Sequence, residues 1–506
     1  LSRGVNSVNK VFVTGYRSSE VPLESPGLPC ASLKIKAKVI KTNPRRKMYR
    51  QLPFGAVDGV VPICVDTNDA NTAIDGIIKR FGRELPKPEI GFHKRLLRYV
   101  DRWCSTYLRP LDTIMTFEQW LETTDYNDSR KYELRRSYDA LNGASPSTRM
   151  CKRIKSFVKT ESYPCFKHAR IINSRSDSFK VFSGPIFKSI ENAVFDLPWF
   201  VKHHPVNEWP AMVARLYRDG AIYLGTDFTA FESHFTAEVM RACEFRVYRY
   251  MLRFFPDYYK LISNTLAGRN VGRFRCGVEF EIMARRMSGE MCTSLGNSLT
   301  NLLLWSYYAD NHGISWDGLV EGDDGLFAVY GGSPPSAEDY ARMGFTIKME
   351  HFTDPCYASF CGITCVGDQL IRNPLRFVSK FGWTSSCIQA GKPVLNSLLR
   401  AKALSAIYET PQCPVIRAIA ERALMLTEGF EPRFEGSYFH VQEVVQPFCP
   451  SESTRLLFAE MFSISVESQL YLERRIMSSF DLNFLFDYMM LGSDNIHMFL
   501  QFLDHG

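Results

Sequence analysis

Hydrophobic positions fall into a few patterned blocks along the chain, separated by polar or glycine-bearing turns. Leu319 and Val320 on one side, and Leu326, Ala328 and Val329 on the other, flank Glu321-Gly322-Asp323-Asp324-Gly325. That pattern predicts two apolar strands joined by a tight hairpin turn. Ala221-Ile222-Tyr223-Leu224 predicts a buried strand with Asp227 at its end, and the run from about Thr236, with Val239, Met240, Cys243 and Val247 on one side, predicts a helix. The small-residue stretch 288–296 leads into Leu302-Leu303-Leu304-Trp305, which predicts a loop feeding an apolar helix with Thr293, Asn297 and Asn301 in a row on one face. Near the amino terminus, Lys34-Ile35-Lys36-Ala37-Lys38-Val39 alternates, so a strand here lines up three lysines on one side. Beyond about residue 381 the pattern turns helical, as over 398–404 and 456–462.

Two adjacent carboxylates at a hairpin tip repel each other and call for a cation. A divalent ion suits them, because Mg²⁺ takes oxygen ligands and is commonly held by one or two carboxylates plus substrate phosphates. If the strand ending at Asp227 lies beside the hairpin, Asp227 and Asp323 can share two ions about 4 Å apart, the arrangement that serves phosphoryl transfer. Taken singly, Asp227 can be a helix cap, Asp323 a turn residue and the Thr293–Asn297–Asn301 row a buried helix contact.

Taken together, these segments resemble the three palm motifs of viral RNA-dependent RNA polymerases in order and spacing: Asp227 with Glu232 five positions on, Ser288-Gly289 with Thr293 and Asn297, and Gly322-Asp323-Asp324. Upstream, Phe157-Val158-Lys159-Thr160-Glu161 with Lys167, Arg170 and Arg175, then Phe182-Ser183-Gly184 and Glu191, is similar to the basic fingers motif of the tombusvirus-like and nodavirus-like positive-strand group. Downstream, Gly344-Phe345-Thr346-Ile347-Lys348 resembles the motif whose lysine is a proton donor, and Ser359-Phe360-Cys361-Gly362 the turn that supports the growing strand. Glu232 departs from the pattern, which usually has aspartate at the position that senses the ribose 2′-hydroxyl. Reverse transcriptases, the nearest alternative, present an aromatic residue where this chain has Glu321.

The resemblance implies an α+β right-hand polymerase with an antiparallel palm sheet packed on helices and a mostly helical thumb. The implied boundaries are fingers over 1–185, palm over 186–253 and 286–380, a fingers insertion over 254–285, and thumb over 381–506. It implies that Asp227, Asp323 and Asp324 hold two Mg²⁺ or Mn²⁺ ions, with no organic cofactor, and that Lys348 is the general acid. Lys159, Lys167, Arg170, Arg175, Glu232, Ser288, Thr293 and Asn297 are then nucleotide-binding. Lys34, Lys36, Lys38 and Gly289 are the candidates for RNA contact. Implied partners are template and nascent RNA, NTPs and other viral replication proteins; the implied location is the host-cell cytoplasm, in replication complexes.

Charge sharpens this picture. Residues 1–180 carry 33 Lys and Arg against 18 Asp and Glu, and the remainder 28 against 36, so a basic third faces an acidic rest. No acid occurs over 34–50, where Lys41, Arg45, Arg46, Lys47 and Arg50 follow the lysine strand. That segment is read as a template or nucleotide-channel wall, with a membrane surface or a second replication protein as the other reading. The 14 cysteines are scattered without a CxxC pair, which suits free thiols in a reducing compartment. His351, Cys356, Cys361 and Cys365 cluster with irregular spacing, so buried thiols read better than zinc. No apolar run approaches a membrane span and no signal peptide opens the sequence; a first residue that is not methionine suggests a processed product or a trimmed chain. A two-metal carboxylate nuclease shares the acids but has no need of a triphosphate-binding basic motif. A silent RNA-binding scaffold has no need of the acids.

Overall fold

The hairpin forms as the pattern predicts. In the computed structural model, which describes residues 12–38, 46–53, 62–163, 165–434 and 447–478, strands Ser315–Glu321 and Asp324–Gly331 pair antiparallel, with Glu321 opposite Asp324. Gly322 opens the turn at φ 61°, a left-handed conformation that glycine adopts without a Cβ clash. Strand Ile222–Phe228 pairs with the second hairpin strand, and Ile347–Phe352 pairs with Ile222–Phe228 on its other side, completing a four-stranded antiparallel sheet.

Both faces of this sheet are covered, which explains why its strands read as nearly continuous apolar runs. Leu224, Phe228, Val320, Phe327 and Val329 join a core with Leu299, Leu302 and Leu303 of helix Thr293–His312, where the Trp305 ring stacks on Phe327 at 3.8 Å. Tyr223, Leu319, Leu326 and Ala328 point to the opposite face, against Val213, Leu216, Phe360 and Leu370. The predicted helix from Thr236 is two helices: Thr236 caps Ala237–Ala242 by accepting from the Val239 amide, and Cys243, at φ −116° and ψ −100°, breaks the chain before Glu244–Met251.

A second, five-stranded sheet runs in the order Lys34–Ala37, Val278–Met283, Arg269–Phe274, Arg153–Val158, Ile171–Arg175. Its inner residues, among them Ile154, Val158, Ile171, Phe280 and Ile282, share one core with Leu395, Leu398 and Ile419 of the carboxy-terminal helices. Those helices include Pro374–Phe381, Lys392–Glu409, Ile416–Leu426, Glu452–Phe462 and Val466–Ser478. The protein is thus a mixed helix-and-sheet chain, helical in its last quarter. Lys41 and Arg45 of the basic segment, with parts of the 1–185 and 381–506 regions, lie outside the described residues. No described helix is long and apolar enough to cross a membrane.

Candidate active site

Strand register assembles the site. Glu321 lies opposite Asp324, Asp324 opposite Asp227, and Asp227 opposite Lys348, so four side chains form one row across all four strands. Cross-strand partners share a face, and alternation puts this row on the side of Tyr223, Leu319, Leu326 and Ala328, at the end where the apolar cover stops. Asp323 projects from the turn beside the row. Asp227, Asp323, Asp324 and Lys348 line one cavity of about 510 Å³, together with Glu232, Ser288, Arg80, Lys167 and Arg170.

Charge in the cavity is divided. Burial, then the carboxylates of Glu232, Asp324 and Asp227, push the Asp323 carboxyl up to about 7. Burial, then Asp227, raise Asp324 to about 6, while Cys361 hydrogen-bonds to it and lowers it. Among the described residues no group of three or more His, Cys, Asp or Glu side chains is set to hold a metal ion. The acids form a charged wall and not a finished cage. The residues fit divalent ions in charge and in donor chemistry, because a cation relieves the repulsion on Asp323 and Asp324 and substrate phosphates complete the oxygen shell. Cys356, Cys361 and Cys365 are free thiols.

On the cationic side, Arg170 and Lys167 reach the cavity, with the Lys167 amine 4.9 Å from the Tyr163 ring centre and lowered by burial and then by Arg80. Arg80, which the sequence reading missed, comes from a π-helical turn, Ile78–Gly82, continuing helix Ala70–Ile77. Lys159 pairs with Glu161 at 3.0 Å, and Glu161 also faces Arg170 at 3.6 Å.

Arg175 is not brought to the cavity. Its guanidinium is buried and bonded to Glu290 at 2.5 Å, the Cys151 carbonyl at 2.8 Å and the Asn270 side chain at 2.7 Å. Glu290 also faces Arg286, which lies fully buried against Glu244 at 2.5 Å and bonds Asn297 at 3.2 Å. Asn297 therefore braces Arg286, and among the described residues no hydrogen bond joins Glu232 to Ser288, Thr293 or Asn297. Thr293 accepts from the Gly289 amide and donates to the Met287 carbonyl. Gly289, at φ 105°, lies against Ile172 and the Asn173 backbone, and the Ser288 carbonyl accepts from the Asn173 amide at 2.6 Å.

The hairpin turn is held by a different stripe of the long helix. Ser294 donates to Glu321, Ser298 accepts from the Gly322 amide at 2.8 Å, and the Asn301 amide reaches the carbonyls of Gly322, Asp323 and Asp324 at 3.3, 3.3 and 3.2 Å. Positions 294, 298 and 301 follow helical spacing as well as 293, 297 and 301 do. The periodicity carried the signal but not the choice of face.

Lys34 and Lys36 stand exposed on the five-stranded sheet, opposite Glu281 and Glu279, while Lys38 continues past the strand end with its amide on the Gly277 carbonyl. Arg269 and Arg273 also pair with these two glutamates, and Arg153 and Lys155 extend the basic face. Arg46 pairs with Glu20, and Arg50 donates to the Ile388 and Ala390 carbonyls. Both described arginines of that segment are thus engaged within the fold.

An acid row crosses the antiparallel sheet and shares its cavity with basic side chains. Residues 180–411 match the family model described as viral RNA-dependent RNA polymerase. It is 25% identical over 206 residues to the RNA-directed RNA polymerase of Greasy grouper nervous necrosis virus, covering 39% of this chain and 21% of that protein. Against the enzyme of Groundnut rosette virus (strain MC1), identity is 24% over 391 residues, 69% of this chain and 44% of the other. Against that of Panicum mosaic virus (strain United States/Kansas 109S) it is 26% over 270 residues, 45% and 25%. The chain thus spans less than half the length of the curated relatives it matches.

Proposed function

We propose that this chain polymerises RNA on an RNA template from NTPs, releasing pyrophosphate. The carrying observation is the Asp324–Asp227–Lys348 row with Asp323 beside it, in one cavity with Arg80, Lys167 and Arg170. In this reading the four-stranded sheet is the palm, the amino-terminal region with the 254–285 insertion is the fingers, and the helices beyond 381 are the thumb. Asp227, Asp323 and Asp324 hold two divalent ions, Mg²⁺ or Mn²⁺, which when bound activate the 3′-hydroxyl and neutralise charge on the departing pyrophosphate.

Arg80, Lys167 and Arg170 grip the triphosphate, the arginines through paired hydrogen bonds. Lys348, exposed beside Asp227, donates a proton to the leaving group. Glu232 and Ser288 border the ribose, Gly289 lets the template approach the backbone, and the basic sheet face with Lys34, Lys36 and Lys38 guides RNA. Cations beside the acids favour a nucleotide substrate over nuclease action, and Glu321 before the turn speaks against a reverse transcriptase. Work in a cytoplasmic replication complex with other viral proteins completes the reading. Synthesis on an RNA template with NTPs and Mg²⁺ tests it: Asp323→Asn should abolish product, and wild-type yield from that variant would sink the site assignment.

A further inference from the structure

The turn after the Asp227 strand serves two places at once. Ala230, at φ 52°, takes the chain from strand Ile222–Phe228 into a short helical turn, Phe231–His234. Glu232 of that turn lines the catalytic cavity, whereas His234 does not and is buried, 1% exposed. The His234 ring lies 5.2 Å from that of Phe345 and is tilted from it by only 21°. Buried polar atoms need partners, and each nitrogen of this imidazole has a definite one. Nδ1 faces the Phe231 carbonyl at 3.3 Å and the Ser233 hydroxyl at 3.4 Å, and that hydroxyl donates its own proton to the Ala230 carbonyl at 2.7 Å. Both neighbours therefore offer lone pairs, so Nδ1 carries the ring proton and Nε2 is left as an acceptor.

Nε2 accepts from the Thr346 amide at 3.1 Å. Burial, opposed by the Phe231 and Ala230 carbonyls and helped by Arg83 and Arg285, lowers the ring to about 4, which keeps Nε2 unprotonated. The Thr346 carbonyl in turn accepts from the Thr229 amide at 3.0 Å, so the segment 229–234 holds both backbone groups of this one residue. Thr346 immediately precedes strand Ile347–Phe352, whose second residue, Lys348, stands opposite Asp227. That strand is an edge of the four-stranded sheet and pairs on one side only, so an anchor at its start governs its pose more than it would in a central strand.

We propose that His234 is a positioning residue for Lys348: through the Thr346 amide its imidazole fixes the start of the edge strand, and with it the place of the Lys348 amine beside the acids. The proposal rests on the polymerase reading above, in which Lys348 gives a proton to the departing pyrophosphate. A phenyl ring at 234 fills the same space and keeps the stack on Phe345, but leaves the Thr346 N–H without its acceptor. A glutamine places a neutral amide oxygen where Nε2 stands. Proton transfer is sensitive to such a change, because a shift of about 1 Å in a reacting group can cost about 100-fold in rate.

The test compares His234→Phe and His234→Gln in the full chain, each with Lys348 present and in a Lys348→Leu background, extending an annealed primer on an RNA template. His234→Phe should lower kcat about 10- to 100-fold with the NTP KM within about twofold, and His234→Gln should recover most of that loss. In the Lys348→Leu background His234→Phe should cost less than about twofold, because the group it misplaces is already gone. Equal loss in both backgrounds, a loss carried by KM through Glu232, or a glutamine variant as poor as the phenylalanine one overturns the proposal. If His234→Phe does not fold, His234→Asn, too short to reach Thr346, takes its place. A readout without turnover separates this proposal from the polymerase reading. In reductively methylated, isotope-labelled protein the Lys348 resonance, assigned by its absence from Lys348→Arg, should move in His234→Phe and stay in His234→Gln. A wild type that makes no RNA while the resonance still moves refutes the polymerase reading and leaves the positioning role standing; a resonance that does not move overturns the positioning role at any level of activity.

Discussion

Asp227 and Asp324 are direct partners across two antiparallel strands, 97 residues apart in sequence and on one face of the sheet. No local geometry brings them together; strand register does. A one-residue slip of either strand would turn its acid to the opposite, Leu224–Phe327 face, so the apolar packing on both faces protects the chemistry. Helix Thr293–His312 fixes the remaining degree of freedom, the pose of the turn carrying Asp323.

That pose gives the first prediction. Asn301→Ala removes the amide that reaches three turn carbonyls, and Ser298→Ala removes the acceptor of the Gly322 amide. Neither residue lines the cavity, so nucleotide binding should survive. Steady-state kinetics should show kcat falling roughly 10- to 100-fold with KM nearly unchanged, the pattern of misplaced catalytic groups. Ser294→Ala, which loses only a 3.4 Å contact to Glu321, should be milder.

Charge repulsion at the acids gives the second. Asp323 titrates at about 7 in the folded chain against 3.8 for a free carboxyl, so the folded state holds its proton more tightly than the unfolded state does. Stability from this group is therefore highest at low pH and is lost as pH rises between about 4 and 7. Asp324, raised to about 6, acts in the same direction. Without divalent ions, Asp323→Asn should raise the melting temperature at pH 8, by on the order of 1–2 °C, with no gain at pH 4. Mg²⁺ should stabilise wild type at pH 8 and the variant less; an equal response in both would refute the role of Asp323 in holding the ion.

The ionic chain behind the site gives the third. A Cβ on Gly296 would meet Arg286 Nη2 at 2.2 Å and Glu244 Oε2 at 2.3 Å, the two halves of a wholly buried ion pair. Gly296→Ala should part this pair and leave charges without partners, a loss of about 3–5 kcal/mol. Thermal melting and soluble yield report it directly.

The four-stranded sheet and its acids were legible because strands buried on both faces leave long apolar runs, and the acids interrupt those runs at their ends. The carboxy-terminal helices were legible from periodicity in the same way. What escaped has a common physical cause: it depends on where a second element docks. Helical spacing offered two stripes on 293–301, and only the docked hairpin selects Ser294, Ser298 and Asn301. Arg175 matched a basic motif, but Glu290, 115 residues onward, takes up its guanidinium within the core. Arg80 reaches the cavity from a π-helical turn that has no mark in the pattern of residues.

The lysine strand gives the last prediction. Lys34 and Lys36 were read as a channel wall from alternation, and the strand does present them outward, yet Glu281 and Glu279 face them across the register. A lysine with a carboxylate beside it releases fewer counterions when RNA arrives, because its charge is already partly balanced. For a single strand, each neutralised phosphate adds about −0.7 to the slope of log K against log salt. Lys34→Ala or Lys36→Ala should therefore change that slope by clearly less than about 0.7, whereas Arg153→Ala/Lys155→Ala, on the side of the face away from the glutamates, should change it by about 1.4. Glu279→Gln/Glu281→Gln should tighten RNA binding and steepen the slope. Filter binding of a single-stranded RNA across a salt series separates these outcomes, and a full slope change from Lys34→Ala alone would show that the glutamates do not shield the strand.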